Sequence, residues 1–576
     1  MRVLIANRGE IARRIMRTMA DWNVETIAVY ADPDELALHV TDATSAVRIG
    51  PASLADSYLS IDAILSAAKE AGATHVHPGY GFLSERTDFA DAVTSAGLTW
   101  IGPSPAAVAS MGSKIEARRV AEGAGVPVIP GFNESQDDDR LKAAAADIGY
   151  PILVKASAGG GGKGIRIAHG DDDFDAALRD ARNEAQRAFG DDAVIVERYI
   201  TRPRHVEVQV AGDKHGTAID LGTRECSVQR RYQKLLEEAP APNLSDELRR
   251  SIRASAVRLC EAIGYDSVGT VEFIVDAESN EFFFLEMNTR IQVEHTVTEE
   301  ITGIDLIALQ THIACGAEMP YPADIFDTAQ SGSAIEVRIN AEDSWNGFLP
   351  QTGRVDAVEI PEAEHLRWDA AIGSGSEISP HYDSMIGKLI AHGPDRIAAL
   401  DRLEDALSTA VLDGPTTNIA FHRWLLAQPE VRSATVTTRF LDEVPLPRQS
   451  PFADGKPTSP WNTRTANRLT PHRSAFAFDA ESRDGRWQQS ERGGEAGSAL
   501  LAPFPGVITE VLVNSGDAVE AGQHLATIEA MKMLHPLTTS GPTTIGEILV
   551  SVGDQVDGGD TLMTFEQPTN ETTNEP

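Results

Sequence analysis

The sequence predicts a multidomain α/β protein that ends in a small all-β unit. The chain has 576 residues, which is too many for one hydrophobic core. Residues 1–445 alternate apolar, strand-like runs with helical stretches, a pattern typical of α/β folds. Residues 496–567 instead contain short alternating strands and an internal repeat, which indicates a compact β structure.

The composition is that of a globular protein with a strongly acidic surface. Apolar residues make up 42% and charged residues 24% of the chain, and the net charge is −36. Because nucleic-acid phosphates require a basic surface, we expect no nucleic-acid partner. No apolar run reaches the roughly 18 residues of a membrane span, so we expect no membrane partner. The three cysteines lack metal-ligand spacing and the start of the chain does not resemble a signal peptide, which together predict a cytoplasmic protein.

Residues 1–110 are predicted to form an α/β domain with a parallel sheet. Strand-like runs lie at 3–6, 26–30, 75–77 and 98–102, and helical stretches at 11–21 and 61–71. The first strand leads into a helix without a G-x-G-x-x-G, so a dinucleotide site is not indicated.

Five further regions follow. Residues 111–325 hold most of the charged motifs, and 326–445 return to an α/β pattern with strands at 333–339 and 386–391 and a helix at 396–412. Residues 446–495 are rich in Pro, Ser, Arg, Gly and Asp and are predicted to be a linker with one possible short strand at 474–478. The all-β unit at 496–567 comes next, and a disordered tail is expected at 568–576.

A glycine-rich segment follows a predicted apolar strand at 151–154. Five glycines occupy the six positions 159–164. Such a run leaves backbone N–H groups free to approach phosphate oxygens with no Cβ in the way. It is not a Walker loop, because an apolar strand at 165–167 follows instead of a helix. A phosphate-binding loop is favoured, and a plain flexible linker is the alternative.

Carboxylates interrupt a predicted β-hairpin at 269–290. Glu272 and Glu286 lie inside otherwise apolar strands, and strand periodicity places Glu286, Asn288 and Arg290 on one face. A buried carboxylate needs a cation or a proton. Two carboxylates and an amide oxygen suit Mg²⁺, so we predict a magnesium site. A Glu pair bridged to an arginine is the alternative.

One lysine lies at the centre of the repeat in the all-β unit. Residues 509–517 match 546–554 at an offset of 37, and each copy continues as Gly-Asp-x-Val-acid-x-Gly. Two similar half-sheets imply a small sandwich with quasi-twofold symmetry. Lys532 lies between the copies, flanked by Met531 and Met533, and is expected to project from one end of the domain. Exposed methionines are unusual unless a partner recognises them, which argues against a merely solvated lysine.

The segment 529–533, Glu-Ala-Met-Lys-Met, resembles the biotinylation motif of biotin carboxyl carrier domains. The surrounding unit resembles the biotinyl (lipoyl-like) fold, in which lipoyl domains usually carry Asp-Lys-Ala at the same turn. The resemblance implies biotin on Lys532, attached by a biotin protein ligase.

Residues 1–445 resemble biotin carboxylase of the ATP-grasp fold. The resemblance implies a Rossmann-like N-terminal domain (1–110), an ATP-grasp domain with a glycine-rich lid (111–325) and a C-terminal α/β domain (326–445). The motifs that carry the resemblance are ANRGEIA at 6–12, HPGYGFLSE at 77–85, MGSK at 111–114, the glycine-rich segment, PRHVEVQV at 203–210, CSVQRRYQK at 226–234, EEAPAP at 237–242 and EMNTRIQVEH at 286–295.

The resemblance also implies roles for individual residues. ATP is expected to contact Lys114, Lys155, Gly161, Gly162, Glu197, Ile200, His205 and Gln229. Mg²⁺ (or Mn²⁺) is expected on Glu272, Glu286 and Asn288. Bicarbonate is expected on Lys234, Arg290, Gln292 and Val293, with Glu294 as general base and Arg338 stabilising the biotin enolate. Tyr232 departs from the family, since many relatives have His in the corresponding RRHQK motif; we expect the tyrosine to be tolerated near the nucleotide.

The order of carboxylase, linker and carrier is similar to that of the α subunits of acetyl- and propionyl-CoA carboxylases. The resemblance implies a carboxyltransferase β subunit as partner, a dimer formed through the carboxylase, and a larger α/β complex. Alternatives are an α subunit for methylcrotonyl-CoA, geranyl-CoA or pyruvate carboxylation, an ATP-grasp ligase that joins a carboxylate to an amine, and a non-catalytic biotin carrier or scaffold. The short linker favours the acetyl/propionyl type.

Overall fold

The computed structural model describes residues 1–156, 165–189, 192–452, 499–504, 506–530 and 533–566. The chain divides into two units. The first comprises Met1–Asn340, Arg354–Glu377 and Met385–Pro451, and the second comprises Ala341–Gly353, Ile378–Ser384 and Phe452–Pro576. The short strand predicted at 474–478, most of the predicted linker and the predicted tail lie outside the described residues. No helix in the described part of the chain is long and apolar enough to cross a membrane.

A parallel five-stranded sheet of order β3-β2-β1-β4-β5 forms the N-terminal region, as predicted. Val3, Leu4 and Ile5 of its central strand are fully buried, and Ile11, Ile15 and Met19 of the first helix pack into the same core. The elements are β1 (Arg2–Ile5), α1 (Gly9–Asp21), β2 (Glu25–Ala31), a 3-10 turn (Asp32–Asp34), α2 (Leu38–Asp42), β3 (Ser45–Gly50), α3 (Ile61–Glu70), β4 (His75–His77), α4 (Thr87–Ser95), β5 (Thr99–Trp100), α5 (Pro105–Gly112) and α6 (Lys114–Gly123).

A smaller antiparallel sheet of order β6-β9-β7-β8 follows. The strands predicted on either side of the glycine-rich segment are confirmed as β7 and β8, which pair with each other. The elements are β6 (Gly131–Phe132), α7 (Asp138–Ile148), β7 (Ile152–Ala156), β8 (Ile165–Ala168), α8 (Asp171–Phe189) and β9 (Val194–Arg198).

The elements between residues 203 and 443 include one large antiparallel sheet and three two-stranded sheets. Of these residues, Ala341–Gly353 and Ile378–Ser384 belong to the second unit. The elements begin with β10 (Pro203–Gly212), β11 (Ala218–Arg230), β12 (Gln233–Ala239), α9 (Asp246–Ile263), β13 (Val268–Asp276), β14 (Phe282–Asn288), α10 (His295–Thr302), α11 (Leu306–Ala314), α12 (Ile325–Ala329) and β15 (Ser333–Asn340). Then follow β16 (Glu342–Asp343), β17 (Leu349–Pro350), β18 (Gly353–Arg354), β19 (Ala357–Glu359), β20 (Leu366–Ala370), β21 (Glu377–Ile378), β22 (Met385–Gly393), α13 (Arg396–Thr409), β23 (Val411–Asp413), α14 (Ile419–Leu426), α15 (Pro429–Arg432) and α16 (Phe440–Glu443).

The large sheet has eight strands in the order β14-β13-β10-β11-β12-β15-β22-β20. Strand β12 pairs with β15, so the sheet continues across the boundary predicted at residues 325 and 326. Almost every residue of β10 and β11 is buried, so polar side chains on these strands must satisfy one another. Gly222 of β11 has φ +91° and a Cβ there would lie 2.0 Å from the Phe326 ring, so only glycine fits.

The second unit contains the predicted β sandwich of two four-stranded sheets, β24-β31-β29-β26 and β28-β27-β25-β30. The strands are β24 (Ala499–Leu501), β25 (Gly506–Val511), β26 (Ala518–Val519), β27 (His524–Ala530), β28 (Met533–Thr538), β29 (Thr543–Ile548), β30 (Gln555–Val556) and β31 (Thr561–Glu566). Because β25, β26 and β27 begin 37 residues before β29, β30 and β31, the sequence repeat is a structural repeat.

The core and the backbone hydrogen bonds of this sandwich repeat in the same way. Ile508 and Ile545 are fully buried at equivalent positions. The amide of Ile508 donates to the Asp554 carbonyl, and the amide of Ile545 donates to the Asp517 carbonyl, each at 2.9 Å. These reciprocal bonds confirm the predicted quasi-twofold symmetry. Strands β27 and β28 pair up to Ala530 and Met533, while Met531 and Lys532 lie outside the described residues.

Candidate active site

The strand register aligns four charged side chains on neighbouring strands, from the edge of the large sheet inward. Glu286, Glu272, Glu207 and Arg224 are successive partners on β14, β13, β10 and β11. Like charges opposite each other repel, so the three neighbouring carboxylates require cations nearby.

Lys234 supplies one of those cations. Its Nζ lies 2.6 Å from Glu207, 2.9 Å from Glu272 and 2.5 Å from Glu294. Burial alone would lower the pKa of Lys234, but the three carboxylates outweigh it and hold that pKa well above its usual value. The lysine is therefore a permanent ammonium that joins β10, β13 and the start of α10.

Arg224 supplies the second cation and is fully buried. Its guanidinium donates to the Glu207 carboxylate and to four neutral oxygens, those of Gln209, Thr270, Gln292 and Thr298, at 2.6 to 3.0 Å. Since every one of these partners is also buried or partly buried, the hydrogen bonds of Arg224 hold the side chains of Glu207 and Gln292 in position.

Glu294 lies between two cations immediately before α10. One oxygen accepts from Lys234 at 2.5 Å and the other from Arg338 at 3.1 Å. Burial alone would raise the pKa of Glu294, but Lys234, Arg338 and Arg224 outweigh it and hold the pKa well below its usual value. Glu294 is thus a carboxylate whose basicity depends on whether the two cations keep their contacts with it.

Arg338 is held from two sides. Its Nε donates to Glu237 at 2.6 Å, and its backbone carbonyl accepts from the Asn418 side chain at 2.9 Å. The His422 ring nitrogen Nε2 lies 2.8 Å from the same carbonyl. Burial lowers the pKa of His422 to about 4, so the ring is neutral and donates this hydrogen bond. Helix α14 therefore fixes the backbone that carries Arg338.

The predicted magnesium ligands lie together on β13 and β14, but they differ in burial. Glu272 is buried, and its Oε1 accepts from Asn288 Nδ2 at 2.9 Å. Glu286 is exposed, although the sequence predicted a buried carboxylate. The reason is that β14 is an edge strand, and the register shift between Glu272 and Phe273 leaves both Leu285 and Glu286 facing outward.

The donor chemistry of this set fits Mg²⁺. Carboxylates at paired positions and an adjacent amide are hard oxygen donors, and one exposed carboxylate leaves the site open to a phosphate. Another group of possible ligands, His205, Glu207 and Glu272, has ligand atoms within 4.8 Å of one another. Lys234 Nζ already neutralises the two carboxylates of that group.

Four family models match the chain in series. They are described as biotin carboxylase, N-terminal domain (residues 1–108), carbamoyl-phosphate synthase L chain, ATP binding domain (113–321), biotin carboxylase C-terminal domain (336–443) and biotin-requiring enzyme (498–565). A biotin-dependent acyl-coenzyme A carboxylase alpha3 subunit of Mycobacterium leprae is 41% identical over 564 residues, which cover 93% of this chain and 94% of that protein. The chain belongs to the biotin-dependent carboxylase family.

Two further members of the family are similar to this chain. The methylcrotonoyl-CoA carboxylase subunit alpha of Arabidopsis thaliana is 45% identical over 85% of this chain and 67% of its own length. The biotin carboxylase domain of a Hydrogenobacter thermophilus 2-oxoglutarate carboxylase, solved as a dimer with MgADP, ADP and bicarbonate, is 43% identical with a TM-score of 0.70, covering 77% of this chain and 97% of that one. The chain spans between 60% and 67% of the length of the plant relatives it matches.

In this biotin-dependent carboxylase, the residues predicted to hold bicarbonate form one connected group. Gln292 Nε2 donates to Glu272 Oε1 at 2.9 Å, the same oxygen that Lys234 contacts. Arg290 donates to Asn288 at 2.7 Å and to Glu85 at 2.9 Å. The Val293 carbonyl accepts from Lys388, a fully buried lysine. The structure therefore brings the predicted bicarbonate and magnesium residues next to each other.

The residues predicted to contact ATP are less closely grouped. Lys155 of β7 lies 2.5 Å from Glu197 of β9, and Ile200 is buried just beyond that strand. Lys114 is exposed at the start of α6, and Gln229 is the cross-strand partner of Lys234. Gly161 and Gly162 lie outside the described residues.

His205 links this group to the carboxylates. Its Nε2 lies 3.0 Å from Glu272. Burial alone would lower the pKa of His205, but Glu272 outweighs it and raises that pKa. The raised pKa favours the imidazolium form of His205 beside the predicted magnesium and phosphate site.

Tyr232 occupies the two-residue turn between β11 and β12. It has φ +67° and its neighbour Arg231 has φ +49°, the left-handed values of a tight hairpin turn. Tyr232 is 74% exposed. A side chain on such a turn can change without disturbing the core, while the tolerance of Tyr232 near the nucleotide stays a prediction.

Sequence reasoning missed Arg224, Glu207 and Glu237. Glu207 lies between two valines, which is the same signal that singled out Glu272. Arg224 and Glu237 each have a glutamate as the next residue, so that signal is absent at these two positions. What the sequence lacks is the pairing register, and only the register shows that these residues meet.

Proposed function

We propose that this chain is the α subunit of an acyl-CoA carboxylase, and that it uses ATP and bicarbonate to carboxylate biotin carried on its own Lys532. The observation that carries the proposal is the convergence of Lys234 and Arg338 on Glu294. Two cations and one carboxylate in a buried site are suited to bind a small anion and remove its proton.

Glu294 is proposed as the base that takes the bicarbonate proton. In the structure its two oxygens are occupied by Lys234 and Arg338, which makes it a weak base. Bicarbonate would compete for the same two cations and, by withdrawing them, raise the basicity of Glu294 at the moment a proton is offered. The deprotonated oxygen then attacks the γ-phosphorus of ATP and ADP leaves.

Several residues of the chain are proposed to hold the charges that develop in this step. Lys114 and Lys155 would contact the phosphates, and Glu272, Glu286 and Asn288 would hold Mg²⁺, which neutralises phosphate charge when bound. Biotin supplies a ureido nitrogen that carries the carboxyl group. Arg338 would face the negative charge on that ureido group, and exclusion of water by the glycine-rich segment would protect the labile carboxyphosphate.

The final acceptor is proposed to be acetyl-CoA or propionyl-CoA, used by a separate carboxyltransferase β subunit. The Mycobacterium leprae relative is an acyl-coenzyme A carboxylase subunit of nearly the same length, which supports an α subunit of this short type. The similarity to the Arabidopsis thaliana subunit favours methylcrotonyl-CoA as the second candidate. Isolation of the natural partner followed by a screen of the three acyl-CoA thioesters distinguishes them.

Other partners and the location are also proposed. A biotin protein ligase would modify Lys532, and the carboxylase would dimerise, as does the biotin carboxylase domain of the 2-oxoglutarate carboxylase. The cytoplasmic location stays a prediction, resting on free cysteines that suit a reducing compartment.

ATP hydrolysis by the purified full chain with Mg²⁺ tests the proposal. We expect hydrolysis to require bicarbonate and to rise when free biotin is added, because only an attacking bicarbonate and an acceptor for its carboxyl group complete the cycle. The control is the same assay without bicarbonate. ATP hydrolysis that depends neither on bicarbonate nor on free biotin would contradict the proposal.

A further inference from the structure

Two carboxylates face each other in the large sheet immediately behind Arg338. Glu237 of β12 and Glu336 of β15 are direct cross-strand partners, and both side chains are fully buried. Paired residues on neighbouring strands have Cβ atoms only about 4.5 to 5.5 Å apart. Two full negative charges at that spacing, away from water, repel strongly.

Each carboxylate has one oxygen engaged and one oxygen without a partner. Glu237 Oε1 accepts from Arg338 at 2.6 Å, and Glu336 Oε2 accepts from the hydroxyl of Thr296. Glu237 Oε2 and Glu336 Oε1 are buried and have no hydrogen-bond partner among the described residues. A buried acceptor without a hydrogen-bond donor is costly. One proton placed between the two carboxyl groups would give both of these oxygens a hydrogen-bond partner.

The cations near the pair are shared with other groups. Arg338 also contacts Glu294 at 3.1 Å. Lys388 donates to the Val293 carbonyl and lies 3.8 Å from Glu10. Other charged or titratable groups also face the pair. They are Lys234 on β12, Cys226 on β11, Arg338 on β15, Lys388 on β22, Glu294 at the start of α10 and Tyr80 in the loop after β4. Because Arg338 and Lys388 also contact other groups, their positive charge does not neutralise both Glu237 and Glu336.

We propose that Glu237 and Glu336 hold one proton between them and act together as positioning residues for Arg338. In this arrangement the single negative charge rests mainly on Glu237, where the guanidinium stabilises it, and the proton rests mainly on Glu336. Arg338 then keeps its position when bicarbonate replaces Glu294 as its partner. The catalytic part of the inference rests on the proposed function, whereas the shared proton does not.

The pKa values of both carboxyl groups are raised, so neither group ionises as readily as it would in water. Burial raises the pKa of Glu237 to about 7, against the opposing effect of Arg338. Burial also raises the pKa of Glu336 to about 8, against Lys388 and with a further contribution from Glu237. Because the folded pKa lies above the ordinary value near 4.3, the pair's contribution to stability is complete below about pH 4 and is lost progressively as pH rises from there to about 8.

The test compares the apparent melting temperatures of the full chain and of Glu336→Gln at a fixed scan rate between about pH 6 and pH 9. A neutral glutamine imitates the protonated acid and does not titrate, so we expect the melting temperature of the parent to fall relative to that of the variant by about 2 °C or more between pH 6 and pH 9. The control is Glu225→Gln, which removes a buried carboxylate paired with Arg204 on β10, and its curve should run parallel to the parent. If the melting temperatures of Glu336→Gln and the parent changed in parallel with pH, the proposal of a shared proton would be overturned.

A second variant separates positioning from structure and covers a failure of Glu336→Gln to fold. Glu237→Gln takes away the charge that anchors Arg338, so we expect kcat for carboxylation of free biotin to fall about tenfold or more while the KM for ATP stays unchanged. An unchanged kcat would overturn the positioning role. If the parent chain itself shows no bicarbonate-dependent hydrolysis, the proposed function fails, and the melting curves still decide whether the proton is shared.

Discussion

Lys532→Arg is expected to abolish labelling of the chain by streptavidin while leaving carboxylation of free biotin intact. Biotin is attached as an amide through a primary amine, and a guanidinium cannot replace that amine. Every residue proposed for the carboxylase site belongs to the first unit, whereas Lys532 belongs to the second, so carboxylation of free biotin does not use Lys532. A streptavidin blot and an assay with free biotin, both on the full chain, check the two halves of this result.

Lys142→Arg is the matched control for this substitution. Lys142 is a lysine on α7 that forms an ion pair with Asp175 at 2.9 Å, and its replacement should leave streptavidin labelling unchanged. Labelling that survives in Lys532→Arg would show that another lysine carries the biotin.

Glu294→Gln is expected to lower kcat for bicarbonate-dependent ATP hydrolysis by about 10²- to 10⁴-fold, the usual contribution of a positioned general base. The amide keeps the shape of the side chain but cannot take a proton, and it leaves Lys234 and Arg338 with one carboxylate fewer. Steady-state kinetics with ATP and bicarbonate varied in turn measure the effect. We expect the KM for ATP to change much less than kcat, since Glu294 does not lie among the proposed nucleotide ligands.

The control is again Glu225→Gln, because it also breaks a buried ion pair on the same sheet. Glu225 contacts Arg204 at 2.5 Å and has no proposed part in the reaction. Equal losses of kcat in the two variants would assign the effect of Glu294→Gln to folding and would remove Glu294 as the base.

Features that depend on sequence periodicity could be predicted closely. The hairpin at 269–290 is confirmed as β13 and β14, and the repeat of 37 residues is confirmed in strands, core and hydrogen bonds. Both follow from short-range rules, since alternation and turn residues lie next to each other in the chain. Of the predicted site residues, the magnesium set on the hairpin and Lys532 could be singled out from strand periodicity and the repeat, and the others could be named only through the family resemblance.

Features that depend on register and on the edge of a sheet could not be predicted. Glu286 lies in an apolar run, yet it is exposed because β14 is an edge strand with a register shift. Glu237 and Glu336 are almost a hundred residues apart, and nothing in either segment indicates that the two meet. Long-range pairing of this kind decides which buried charges neutralise each other, and hence the protonation state of the site.

Transfer of labelled bicarbonate to the chain itself tests the central claim most directly. Full-length protein, fully biotinylated, is incubated with ATP, Mg²⁺ and radioactive bicarbonate, then separated from small molecules. We expect label to remain on the chain, to require ATP, and to be absent from Lys532→Arg. A biotinylated chain that hydrolyses ATP in the presence of bicarbonate but retains no label would contradict the claim that this protein carboxylates its own biotin.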